Sequence, residues 1–131
     1  MFVDASALTA ILTDEEEGPE LAGRLENGSL RMTSPMAVWE TTVAVARAHG
    51  LLATVAGQSV LDYLKIAGID LVDIPASTTA LAIDAFARFG KGKHPARLNF
   101  GDCFAYACAR HFGQPLLFKG SDFPLTDIAA A

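Results

Sequence analysis

Residues 1–8, Met1-Phe2-Val3-Asp4-Ala5-Ser6-Ala7-Leu8, decide how the remainder is read. Three apolar residues stop at an acid, and a pattern of helical spacing runs from Ser6 to Leu12. A strand that is short and apolar at every position suits a sheet covered on both faces, which is the parallel kind. The same alternation recurs outward along the chain. Leu30–Thr33 leads into a helix with Ser34 as N-cap and Pro35 at its first position, running to His49 and closed by Gly50. Leu71–Ile74 precedes a helix capped by Ser77 or Thr78 that extends to Phe89. Leu116–Phe118 follows a helix from Gly101 to His111. Further helices are predicted over Glu20–Asn27, with Pro19 at the start, and over Thr54–Ala67. Short apolar strands alternating with longer helices predict an α/β fold. Its expected architecture is a three-layer α/β/α domain whose central, mostly parallel sheet has four or five short strands. A length of 131 residues suits one domain, 1–131.

Composition narrows the class. With 51% hydrophobic and 19% charged residues the chain has the material for a core and is not disordered. Its longest uncharged run, Gly50–Leu61, falls well short of the ~20 apolar residues a membrane helix needs. Asp4 stands where an export signal would carry Lys or Arg, so a cytoplasmic location is expected. Cys103 and Cys108 lack metal or redox spacing and read as small buried apolar residues. His49, His94 and His111 likewise offer no metal-ligand spacing. The net charge of −5 argues against binding nucleic acid over the whole surface. The charge is uneven, however: Arg88, Lys91, Lys93, Arg97, Arg110 and Lys119 face a single acid, Asp102, within 88–119, while Asp14-Glu15-Glu16-Glu17 lies far upstream.

Four acids stand among apolar neighbours rather than in solvated runs. Asp4 ends the first strand, and Asp122 follows the last one after Lys119-Gly120-Ser121. Glu40 is the only acid of an otherwise apolar helix, and Asp102 opens the helix that ends at His111. Each has a plain structural explanation. Asp4 would cap the helix after it, Asn99 and Asp102 would form a capping box, Glu40 would pair with Arg47 or lie on a narrow exposed stripe, and Asp122 would be a loop acid. Ligand sites of parallel sheets lie beyond the carboxyl ends of the strands, where Asp4 and Asp122 are both expected. Carboxylates that meet in one cleft need a counter-charge, and a hard divalent cation supplies it. With the basic 88–119 window as a phosphate-facing surface, this combination points to metal-dependent phosphodiester hydrolysis.

The segments FVDASAL (2–8), AVWETTVA (37–44), HPARLNFGDCFAYACA (94–109) and LLFKGSDFPLTDI (116–128) together resemble the PIN-domain ribonucleases, and within them the VapC-type toxins of bacterial toxin–antitoxin pairs. The resemblance spans nearly the whole chain, and LNFGDCFAYA and LLFKGSDF are its most specific parts. It implies a PIN fold and an endoribonuclease, the toxin of a type II system, hydrolysing RNA with an activated water. It implies that Asp4, Glu40, Asp102 and Asp122 are catalytic and hold Mg²⁺ or Mn²⁺. Ser6, Asn99 and Ser121 would orient these acids, Ser121 standing where many family members carry Asn. Lys91, Lys93, Arg97 and Lys119 are candidates for guiding phosphates. The partners implied are RNA, a VapB-type antitoxin and a second copy of the chain, with helices 35–49 and 51–67 available for the protein contacts. The alternative is a catalytically inactive PIN-like module that binds RNA or protein; the presence of all four acids counts against it. Haloacid-dehalogenase-like phosphatases and receiver domains fit poorly, because the acid pairs they need near the first strand are missing.

Overall fold

A computed structural model describes residues 1–131. In chain order the elements are β1 (Phe2–Val3), α1 (Ala5–Leu12), α2 (Gly18–Glu26), β2 (Met32–Thr33), α3 (Pro35–His49), α4 (Ala53–Ala67), β3 (Asp70–Leu71), α5 (Thr78–Phe89), α6 (Phe100–His111) and β4 (Leu116–Leu117), followed by a 3₁₀ turn at Phe123–Leu125. The strands form one parallel sheet in the order β3-β2-β1-β4. The first strand is therefore interior, and the residue that ends it, Asp4, emerges from the middle of the sheet's carboxyl edge.

Two cores explain why these strands are apolar at successive positions. Phe2, Met32 and Leu116 pack with Ala85, Phe89 and Tyr106 of α5 and α6. Val3 and Leu117 point the other way, against Leu8, Leu21, Leu25 and Leu64. The pleat sends consecutive residues to opposite layers, and both layers are apolar. A smaller cluster of Val45, Ala56 and Val60 joins α3 to α4. No helix is long and apolar enough to cross a membrane.

Local signals set the helix ends. Ser34 Oγ accepts from the Ala37 N–H at 3.2 Å, Pro35 follows, and Gly50 closes α3 at φ +64°, a left-handed conformation that suits glycine. The third strand departs from expectation. It occupies Asp70–Leu71 rather than Leu71–Ile74, and both of its residues are exposed at the sheet edge. Pairing stops because β2 gives way to the Ser34 cap, leaving no backbone alongside Ile74; Val72 and Ile74 pack on the α5–α6 core instead. Thr33 is fully buried and its Oγ1 donates to the Val3 carbonyl at 2.8 Å, tying β2 to the residue before Asp4.

Candidate active site

Asp4 is only 3% exposed. Its N–H donates to the Leu117 carbonyl at 2.9 Å, which continues the β1–β4 ladder. Its carboxylate caps α1: Oδ2 accepts from the Ser6 N–H at 3.0 Å and from Ser6 Oγ at 2.5 Å. Ser6 Oγ in turn accepts from the Lys119 N–H at 3.0 Å. The serine thus joins the start of α1 to the segment leaving β4, and holds one carboxylate oxygen of Asp4 with two donors.

Asp102 is held differently. Asn99 and Asp102 form the capping box of α6, with the Asp102 N–H donating to Asn99 Oδ1 at 2.9 Å and the Asn99 N–H donating to Asp102 Oδ2 at 2.8 Å. The box uses Oδ2 of Asp102 and leaves Oδ1 for another partner. Glu40 reaches in from α3 and lies against Gly101: a Cβ built there would stand 2.2 Å from Glu40 Oε1 and 2.6 Å from Oε2. It forms no ion pair with Arg47. Asp4, Ser6, Glu40, Asn99 and Asp102 all line one cleft, whose wall also includes Glu15 and Lys119.

The cleft is electrostatically unbalanced. Burial raises the Asp4 carboxyl above its ordinary range, against the opposing hydrogen bonds from Ser6. Burial is also the main cause that pushes Glu40 up to about 7, with the charges of Asp4 and Asp102 adding to it. Asp102 rises to about 6, again first through burial, with the Asn99 N–H opposing and Asp4 and Asp122 adding. Lys119 does not neutralise these acids, because its ammonium pairs with Glu15 and, at 3.3 Å, with Glu17. No group of three acidic, His or Cys side chains is arranged to enclose an ion. The donors are nevertheless hard oxygens, which suit a hydrated divalent cation held by one or two carboxylates with water completing the shell.

The remaining candidates are dispersed. Asp122 and Ser121 are exposed just before the 3₁₀ turn; they do not line the cleft, though the Asp122 charge reaches Asp102. Lys91, Lys93 and Arg97 share a separate hollow with His94. Two participants were not anticipated. Glu15 belongs to an acidic turn that reads as solvated, and its partner Lys119 is 104 positions away, so no local signal connects them. Gly101 left a faint signal, a glycine in the first turn of a helix where glycine is unfavourable. Gly101→Ala should leave the fold intact and displace the Glu40 carboxylate. Circular dichroism should be unchanged, and any activity of the cleft should fall roughly tenfold or more.

The comparisons with known proteins follow the same outline. The PIN domain family model matches residues 1–129, and the chain belongs to that family. Ribonuclease VapC of Mycolicibacterium smegmatis is 42% identical over 130 residues, covering 99% of this chain and 98% of that protein. Ribonuclease VapC30 of Mycobacterium tuberculosis is 40% identical over 129 residues, covering 98% and 96%. A VapC ribonuclease of Rhizobium meliloti is 37% identical over 140 residues, covering 97% and 98%. The crystal structure of Mycobacterium tuberculosis VapC20, a sarcin–ricin loop cleaving toxin, superposes with a TM-score of 0.77 at 18% identity, covering 99% of this chain and 97% of that one. This last likeness is one of fold.

Proposed function

We propose that the chain is a metal-dependent endoribonuclease, the toxin of a type II toxin–antitoxin pair, hydrolysing RNA phosphodiester bonds in the carboxylate cleft. The observation that carries this reading is the meeting of Asp4, Glu40 and Asp102 with no side-chain cation to balance them, since Lys119 is committed to Glu15 and Glu17. The names of the full-length VapC relatives support the choice of RNA as substrate. Asp4, Glu40 and Asp102 would hold Mg²⁺ or Mn²⁺, with Asp122 acting from the rim. When bound, the cation supplies charge balance at the phosphate and acidifies a water molecule.

The chain's own residues do the rest. Ser6 fixes Asp4 in one orientation, and Asn99 fixes Asp102 through a single oxygen. Glu40, pushed up to about 7 by burial and by the charges of Asp4 and Asp102, would have to be ionised to hold a cation. A VapB-type antitoxin, a second copy of the chain and a cytoplasmic location belong to the same reading. The experiment is digestion of labelled total RNA by the purified chain with Mg²⁺, with Mn²⁺ and with EDTA. Discrete cuts in metal and none in EDTA are expected. RNA binding without cutting under any of these conditions would overturn the nuclease in favour of a binding module.

A further inference from the structure

The first turn of α6 carries exposed aromatic surface that neither core uses. Phe100 is 69% exposed, Ile83 65% and Phe86 44%, and with Ala82, Cys103 and Phe104 they frame an apolar groove between α5 and α6. Phe100 is braced edge-on by Phe104, with ring centroids 5.1 Å apart. The groove begins at the residue between Asn99 and Gly101, one step from the groups that line the carboxylate cleft.

Beside it stands the loop Lys91–Arg97, which is closed at its base. The Lys91 N–H donates to the Leu98 carbonyl and the Leu98 N–H to the Phe89 carbonyl, both at 3.0 Å. The N–H groups of Lys93 and His94 both return to the Gly90 carbonyl, at 3.0 and 3.1 Å. Glycine is required at position 90, because a Cβ would lie 2.3 Å from the Phe86 carbonyl and 2.5 Å from its ring. Lys91, Lys93 and Arg97 line one hollow of this loop, and none forms an ion pair with an acid. Lys93 Nζ lies 4.8 Å from the Phe86 ring centroid, which places a cation at the edge of the groove.

We infer that groove and loop form one subsite for single-stranded RNA, in which an unpaired base stacks on Phe100 while neighbouring phosphates run along Lys93, Lys91 and Arg97. The inference rests on the ribonuclease reading and names how its substrate is held. Charge complementarity selects the occupant: an aromatic platform next to three unpaired cations matches bases and phosphates in alternation. Stacking tolerates any base, and phosphate contacts position a strand without reading it. The subsite therefore favours unpaired over duplex RNA near the cleft.

The test is fluorescence anisotropy in EDTA, so that nothing is cut, with a labelled oligouridine of about a dozen nucleotides and the same strand in a duplex. The proteins are the full chain, Phe100→Ala, Phe100→Trp and Lys93→Ala. Phe100→Ala should weaken binding of the single strand about tenfold, and Phe100→Trp should retain it. Lys93→Ala should lower the slope of log affinity against log salt by about one. Because Phe100 and Lys93 are exposed, unchanged melting temperatures are expected and separate lost contacts from lost folding. Equal binding by the full chain and Phe100→Ala would overturn the subsite and leave this face to a protein partner. Failure of the full chain to bind either strand would also overturn the subsite, and cutting of total RNA by the same preparation in Mg²⁺ or Mn²⁺ would show that the ribonuclease reading stands without it.

Discussion

Asp4→Asn is expected to lower metal-stimulated RNA cleavage by at least about a hundredfold, more than is typical for a residue that only orients a ligand. The fold should survive. Asparagine serves as well as aspartate at an N-cap, and its side-chain oxygen can still accept from Ser6. The replacement also removes a buried carboxylate raised by desolvation, so the metal-free variant should melt no lower than the parent chain. Asp4→Ala is the contrasting control, losing the cap as well and costing about 1 kcal/mol of stability. The measurement is initial cleavage rate beside thermal melting of the same preparations. Cleavage at the parental rate by folded Asp4→Asn would remove this residue from the site.

The second large effect is a coupling of stability, pH and metal. Glu40 rises from 4.5 to about 7 and Asp102 from 3.8 to about 6, so between those limits the folded chain binds protons more tightly than the unfolded chain. The stabilisation is present in acid and is lost as pH climbs through the folded values. Metal-free protein should therefore melt lower at about pH 7.5 than at about pH 5, by roughly 1 to 2 kcal/mol after allowing for solvent screening at half-buried Glu40. That corresponds to about 4–8 °C. Glu40→Gln should raise the melting temperature at the higher pH and flatten the profile. Mg²⁺ at about a hundred times its Kd should add about 2.7 kcal/mol, and less in acid, where protons compete for the same oxygens. A melting temperature indifferent to pH and to Mg²⁺ would show that these carboxylates do not share one field.

Most of the fold was legible because its signals are local. Ser34-Pro35 and Gly50 mark α3, and an apolar triplet before Asp4 marks β1. The third strand was misplaced because its limits are set by β2, thirty-eight positions upstream at the Met32↔Asp70 pair, rather than by its own residues. The division of Phe2 and Val3 between two cores is likewise a property of the pleat.

The site was legible in part for the same reason. An acid among apolar residues is visible in a sequence, and both the capping explanation and the clustering apply at once to Asp4 and Asp102. Ion-pair partners are not visible. The basic 88–119 window reads as one surface, yet the fold divides it. Lys119 is taken by Glu15 and Glu17, and Arg88 by Asp84 and Asp127, the latter also accepting from Tyr106 Oη at 2.6 Å. The loop cations Lys91, Lys93 and Arg97 remain unpaired, as does Arg110 in the last turn of α6.

The hydrogen bond from the Lys119 backbone to Ser6 sets an order of events during biosynthesis. Asp4 and Ser6 are translated more than a hundred residues ahead of the groups that anchor them, the β4 ladder and the Lys119 N–H. Domains fold as units while synthesis proceeds from the N-terminus. A nascent chain therefore lacks both anchors of Asp4 and Ser6 until residues 117–119 can dock. For the ribonuclease proposed above, an ordered Asp4 would then require a chain translated through residue 119.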